Sequence, residues 1–543
     1  MVMHTSRYPI TIAAKRSLGQ RMDRREGDRA NMPTSIRRSY RVAAVLAALG
    51  VNFAAAAAEP VHPRIDFSNP PQWPLLLTQA PRHSTAGTDE ADLPDGARIV
   101  LVNPNGATNA EILTLDFSAA AWPAVSFDAS RYLFIARRSL SDQPAAWEFN
   151  LADGEARRIT DTVLCRRAIY LSRLYALELD APENRVALLG RPPGESPDSI
   201  FTCRPDGSDL RRITFSPNGI ADLFQLTDGR LLFSMPLMNR QHLYTVHLDG
   251  TDLSPFAGIY DPPARRTMPC ETADANVLFV ESLVEEDLGN RTLPGGHFVV
   301  PAQQPTTLAT VSRARSLRTR RPLTTLGPGG IRSMSPLPDG RILISYRPGD
   351  QATFGVYVLD PKDGGGLTRV LDDPDWDDLA AVAIAPRAEP AGRSSGIDRK
   401  SPTGQLYCLN SYLSDPADGP TVPLGTIDRV RIVRDQPDEN PLPNTIQVLT
   451  EAKVEPDGSF FVEIPAETPI RVETLDETGR VLRAMRTAMW VMPGEERGCV
   501  GCHEDRELSP PNRHVMALRK PPQRTAAIPS PPRKPVLREK DAR

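Results

Sequence analysis

A chain of 543 residues, 40% of them hydrophobic, can build a sizeable core and is long enough for roughly two to four domains. Its 54 prolines, about twice the usual share, exclude an architecture of long helices. A net charge of −3 gives no general attraction for nucleic acid or an anionic membrane, and neither is expected as a partner.

Residues 1–58 read as an N-terminal extension and signal peptide. Arg37, Arg38 and Arg41 precede an apolar run from Val42 to Ala58 that closes on five alanines. A basic n-region, a short apolar h-region and small residues at the cleavage site define a secretory signal. Cleavage is expected near Ala58, with Met32 a plausible true start. A membrane anchor fits less well, because the run is Ala-rich, contains Asn52 and falls short of the ~20 residues that a span needs. The expected location is periplasmic or otherwise exported, with no membrane span after cleavage. Export implies an oxidising compartment. Cys165, Cys203, Cys270 and Cys408 are therefore expected to pair as structural disulfides, in an order that the sequence leaves open.

Residues 59–97 are Pro-rich and polar and read as a linker. From residue 98 the texture changes to short apolar runs punctuated by Asp-Gly turns, which supply the positive φ of tight hairpins. Asp206-Gly-Ser-Asp-Leu-Arg-Arg-Ile-Thr214 echoes Asp153-Gly-Glu-Ala-Arg-Arg-Ile-Thr160 and, more faintly, Asp249-Gly-Thr-Asp-Leu253. A short strand phrase recurs as Arg131-Tyr-Leu-Phe-Ile135, Arg185-Val-Ala-Leu-Leu189, Arg230-Leu-Leu-Phe-Ser234, Asn276-Val-Leu-Phe-Val280 and Arg341-Ile-Leu-Ile-Ser345. A repeat of about 45 residues with insertions is the signature of a four-stranded propeller blade. The expected fold class is mainly β: a propeller of about six blades over 98–395, followed by a small β-rich domain over 396–490. An acidic run of Asp373, Asp375, Asp377 and Asp378 lacks the glycine and glutamate of a calcium loop and is expected to be a solvated blade turn.

Residues 491–517 hold the chemistry. Cys499-Val-Gly-Cys502-His503 has the spacing of a c-type haem attachment site. Two thiols three residues apart reach the two vinyl groups of one haem, and the following histidine falls beneath the iron. With 6 cysteines and 8 histidines in the chain, chance is a poor explanation. A zinc site would need two further ligands at short spacing, and no second Cys-x-x-Cys or histidine pair is present. The expected cofactor is thus one covalent haem c, on Cys499 and Cys502, with His503 as the axial ligand. Met492, His514 and Met516 are the leading candidates for a sixth ligand, with Met485 and Met489 behind them. A filled sixth position suits electron transfer and an open one permits substrate binding. Residues 518–543 are basic and Pro-rich and read as a disordered tail.

The propeller repeats resemble the TolB-type phrase. The C-terminal half is more specific. Gly404-Gln-Leu-Tyr-Cys-Leu-Asn-Ser-Tyr412, Val454-Glu-Pro-Asp-Gly-Ser-Phe460, Ile464-Pro-Ala-Glu-Thr-Pro-Ile470, Thr474-Leu-Asp-Glu-Thr-Gly479 and Pro493-Gly-Glu-Glu-Arg-Gly-Cys-Val-Gly-Cys-His-Glu504 occur in order. With the propeller, they resemble the hydrazine synthase alpha subunit-like family over residues 98–515. That resemblance implies an exported multidomain protein with a haem c beside a propeller. In the synthase the haem belongs to a catalytic centre for small nitrogen compounds. There the motif histidine is held to bind zinc, and a tyrosine four residues later ligates the iron. Glu507 stands at that tyrosine's position here, which favours ordinary ligation by His503. The expected function is one-electron exchange with a redox partner protein. A haem enzyme acting on a small nitrogen molecule at an open iron, and an interaction module with a structural or sensing haem, are the alternatives.

Overall fold

The computed structural model describes residues 66–67, 71–82, 93–103, 110–176, 183–237, 240–283, 305–349, 353–414, 421–436, 447–501 and 514–524. The signal region, Cys502, His503 and Glu507 lie outside them. Within the described residues, strands form a closed ring of six four-stranded antiparallel blades followed by a smaller two-sheet domain. No helix among them is long and apolar enough to cross a membrane.

The five copies of the strand phrase are the second strands of blades 2 to 6. Blade 2 runs Ala119–Val125, Arg131–Arg137, Ala145–Asn150 and Ala156–Arg158, and blade 3 runs Leu164–Ala176, Glu183–Arg191, Ser199–Cys203 and Arg211–Arg212. Blade 4 runs from Ala221–Gln225 to Ser254–Ala257. Blade 5 starts at Ala264–Glu271, and blade 6 ends at Leu367–Asp372. Blades 5 and 6 share one 16-residue strand, Arg321–Pro336. Its first half pairs with Pro305–Ser312 and its second with Ile342–Pro348. The second strands are apolar on both faces because neighbouring blades cover them; Arg131–Arg137 is buried from Tyr132 to Ala136. The Asp-Gly turns adopt the expected backbone. At Gly207, φ is +85°, and a Cβ there would lie 1.9 Å from the Ile159 carbonyl oxygen of blade 2.

Blade 1 closes the ring, and it corrects the linker boundary. Its strands Leu75–Pro81, Arg98–Val102 and Ala110–Ile112 are joined by Trp376–Ala383 from the far end of the propeller. Leu75–Pro81 therefore lies inside the 59–97 stretch read as linker, and it is almost wholly buried. The acidic run sits at the same seam and is not solvated. Asp373, Asp377 and Asp378 are buried, and only Asp375 of the four is exposed. Gln79 donates to Asp373 (3.2 Å) and Asp378 (3.1 Å), while the Asp373 backbone N–H donates to Asp378 (2.7 Å) and that of Phe354 to Asp377 (2.9 Å). These carboxylates satisfy buried donors that the closure leaves over. Asp378→Ala is expected to cost about 1–3 kcal/mol in urea unfolding, since Gln79 and the Asp373 amide lose a buried acceptor.

The expected disulfides do not form among the four cysteines. Cys165 and Cys203 are buried thiols in one apolar cluster of blades 2 and 3, and Cys270 is a buried thiol in the cluster of blades 5 and 6. Burial pushes the Cys165 and Cys203 thiols up to about 12 and raises Cys270 further. Cys408, also a buried thiol, belongs to the smaller domain. In this fold the apolar interior supplies the stability that a disulfide supplies in small exported domains.

Candidate haem-attachment site

The smaller domain is two sheets packed face to face. One orders Val448–Lys453, Arg429–Arg434, Ile470–Leu475 and Val481–Ala484; the other orders Phe460–Pro465, Thr403–Cys408 and Glu496–Cys499. The attachment segment is therefore not a separate piece beginning at 491. Its strand Glu496–Cys499 runs parallel to Thr403–Cys408, with Gln405 opposite Glu496 and Cys408 opposite Cys499. The ladder continues past the cysteine, because Leu409 N–H donates to Cys499 O (2.9 Å) and Asn410 N–H to Val500 O (3.2 Å). Gly498 is required: the Tyr407 ring lies 2.5 Å from where its Cβ would be. Cys499 is thus held at the end of a fixed strand, half-buried, against the domain's apolar core.

The residues before it clamp this strand to the propeller. Trp490 is fully buried, and its indole N–H donates to Gly250 O (3.2 Å) while its ring meets Phe215 edge-on. Gly250 belongs to the third copy of the Asp-Gly phrase, and a Cβ there would come within 2.9 Å of the Met492 sulfur and methyl. Glu495 accepts the backbone N–H groups of Asp252 (3.0 Å) and Met492 (2.7 Å). Burial pushes its carboxyl above the usual range, against the pull of the nearby Arg497. Arg497 in turn donates to Leu253 O. A cleft of about 370 Å³ opens beside this clamp, lined by Arg185, Arg212, Asp249, Arg399, Glu467 and Met492 among others.

The candidate sixth ligands separate into two groups. Met492 is 4% exposed and packs over Gly250 at the Thr403–Gly404 end of the sheet. Four residues of strand, about 13 Å, divide that end from Cys408 and Cys499. Met489 is buried and bridges Ile470, and Met485 packs on the same core. His514 and Met516 lie at the other end. Met516 N–H donates to Asp457 (2.9 Å) and Ala517 N–H to Ser459 Oγ (3.0 Å). The turn that receives them also contacts Asn410 and Tyr412, just beyond Cys408. The chain therefore leaves at Gly501 and returns by His514 to the same loop cluster.

The tail reading needs correction as well. Gln523 pairs with Val462 as an extra parallel bridge, its N–H donating to Phe461 O (2.9 Å) and its side chain bonding the Lys453 backbone in both directions. Arg524 pairs with the buried Glu463, so the first residues after 518 are part of the domain. Residues 525–543 lie outside the described ones.

Cys499 fits the thioether role on this geometry. It is half-buried, and its neighbours on one side are apolar. Sequence reasoning missed Trp490 and Glu495, and it named Cys408 without its place opposite Cys499.

The fold and site define a six-bladed β-propeller protein with an appended β domain whose last strand presents a Cys-x-x-Cys-His motif. Residues 425–504 match the family model described as the hydrazine synthase alpha subunit middle domain. Over those residues the chain resembles the hydrazine synthase alpha subunit family. It is 23% identical to hydrazine synthase subunit alpha of Kuenenia stuttgartiensis over 79% of this chain and 65% of that relative, so it spans about two thirds of the relative's length. The solved Kuenenia stuttgartiensis hydrazine synthase superposes with a TM-score of 0.70 at 21% identity, covering 83% of this chain and 72% of that one. TolB from Acinetobacter baumannii gives a TM-score of 0.40 at 12% identity over 65% of this chain and 73% of its own.

Proposed function

We propose that this chain is an exported c-type haem protein of the hydrazine synthase alpha type, whose iron site acts on a small nitrogen compound. The observation that carries the reading is the match over 425–504, which runs through the attachment motif itself. Cys499 and Cys502 would hold the haem by thioethers, and His503 would ligate its iron. When bound, such a haem supplies an iron that takes up small molecules or passes single electrons. The chain's own contribution is positional. The parallel strand fixes Cys499, and Trp490, Glu495 and Arg497 hold that strand against blade 4. Glu507 replaces the tyrosine that ligates iron in the synthase, so the reading extends to the substrate class and not to hydrazine formation itself.

One observation favours a second reading, one-electron exchange with a redox partner. The segment His514–Met516 docks on the Asp457–Ser459 turn, which contacts Asn410 just beyond Cys408, whereas Met492 lies at the far end of the sheet. Resonance Raman spectroscopy of the exported protein, with and without CO, tests the two. The proposed function expects five-coordinate ferrous iron that binds CO or NO. Six-coordinate iron that becomes five-coordinate in Met516→Ala or His514→Ala, and not in Met492→Ala, would overturn it in favour of electron transfer.

A further inference from the structure

Cys499 does not face an inert neighbour. Paired positions on adjacent strands project their side chains to the same face, and the strands lie 4.7–4.9 Å apart. Cys408 is the residue opposite Cys499, and the two form the last pair of a ladder that is regular from Gln405 to Cys408. Both cysteines pack into the same apolar cluster, Cys408 at 1% exposure. Tyr407 and Gly498 occupy the other face, as the alternation requires. A disulfide needs Cα atoms about 4.4–6.8 Å apart and Cβ atoms about 3.5–4.5 Å apart; ordinary strand spacing meets the first condition, and two side chains on one face need to close by only a few tenths of an ångström to meet the second. Cys165, Cys203 and Cys270 lie in propeller clusters, so among the described thiols Cys408 is the one that the motif meets.

We propose that in the chain before haem attachment Cys408 and Cys499 form a disulfide, which withholds Cys499 from thioether formation until it is reduced. The two thiols release two protons and two electrons as the S–S bond forms. The electrons pass by thiol–disulfide exchange to a disulfide-bearing oxidant protein of the exported compartment, which leaves as a dithiol. A dithiol reductant reverses the step and restores the Cys499 thiol, whose S–H then adds across a haem vinyl group. One sulfur cannot carry both bonds, so reduction of the Cys408–Cys499 bridge precedes attachment. The inference rests on the reading that Cys499 carries haem.

The test is peptide mapping of the full-length chain, exported from cells that lack haem-attachment machinery and quenched with an alkylating reagent before unfolding. The expected result is a peptide pair joining Cys408 to Cys499, with Cys502 alkylated. Alkylated Cys408, whether Cys499 is alkylated too or joined to Cys502, overturns the proposal. The same chain matured with haem-attachment machinery is expected to show covalent haem and an alkylated Cys408. Lack of covalent haem in that second sample would remove the haem reading and leave the cysteine map unaffected.

Discussion

Trp490→Ala is expected to destabilise the protein by about 3–5 kcal/mol, the range for truncating a fully buried aromatic side chain. Trp490 is the largest side chain with no exposure at all. Its loss empties the contact with Phe215, leaves Gly250 O without its indole donor, and opens a void in the cluster shared by blade 4 and the smaller domain. The effect should appear as a lower urea midpoint. Limited proteolysis should cut more readily in the Met489–Cys499 segment than in the propeller. Gly250→Ala acts on the same contact from the other side, because its φ is +90° and its new methyl would meet Ile213 O and Met492. The double variant should lose less than the sum of the two, since they share one interface. An additive result would mean that Trp490 and the blade 4 turn do not depend on each other.

The second large effect is on acid stability. His242 is buried in blade 4, and burial, followed by the charges of Arg266 and Arg240, pushes its imidazole down to about 4 from the ordinary 6.5. Between those values the unfolded chain binds a proton that the folded protein refuses. Stability therefore falls as pH drops from 6.5 toward 4, by roughly 3 kcal/mol in all. Asp261 and Glu281 also face this network through Arg266, and the Asp261 carboxyl is raised by burial. A raised carboxyl gives the opposite slope, stabilising as pH falls, so the measured loss is the difference. His242→Leu should flatten the curve of unfolding free energy against pH in that window. An unchanged slope would place the acid sensitivity elsewhere.

Much of the fold was legible because blades repeat. Asp-Gly turns demand positive φ wherever they occur, and the second strand of a blade is apolar on both faces, so the five strand phrases marked blades 2 to 6. Blade 1 was hidden for a physical reason. Its innermost strand comes from residues 376–383, so Leu75–Pro81 has no preceding hairpin partner in sequence and its flanking prolines suggest a linker. The acidic run misled in a related way, since carboxylates read as solvated from composition were needed to satisfy donors at the closing seam. At the site, the motif was visible but its setting was not. Cys408 and Cys499 are distant in the chain, and parallel pairing between distant strands leaves no local mark. Trp490 and Glu495 were equally silent, because their partners are backbone groups of a turn in blade 4.

The split construction of blade 1 also orders events in time. Chain emerging from its N-terminal end cannot complete a ring until Trp376–Ala383 is available to Leu75–Pro81, and contacts of such long sequence separation form slowly. The turn at Asp249–Leu253 is closed by hydrogen bonds within blade 4 and serves as a dock. The strand bearing Cys499 follows the closing strand and binds that dock. The motif's platform thus rests on a turn about 240 residues earlier in the chain rather than on structure local to the cysteine.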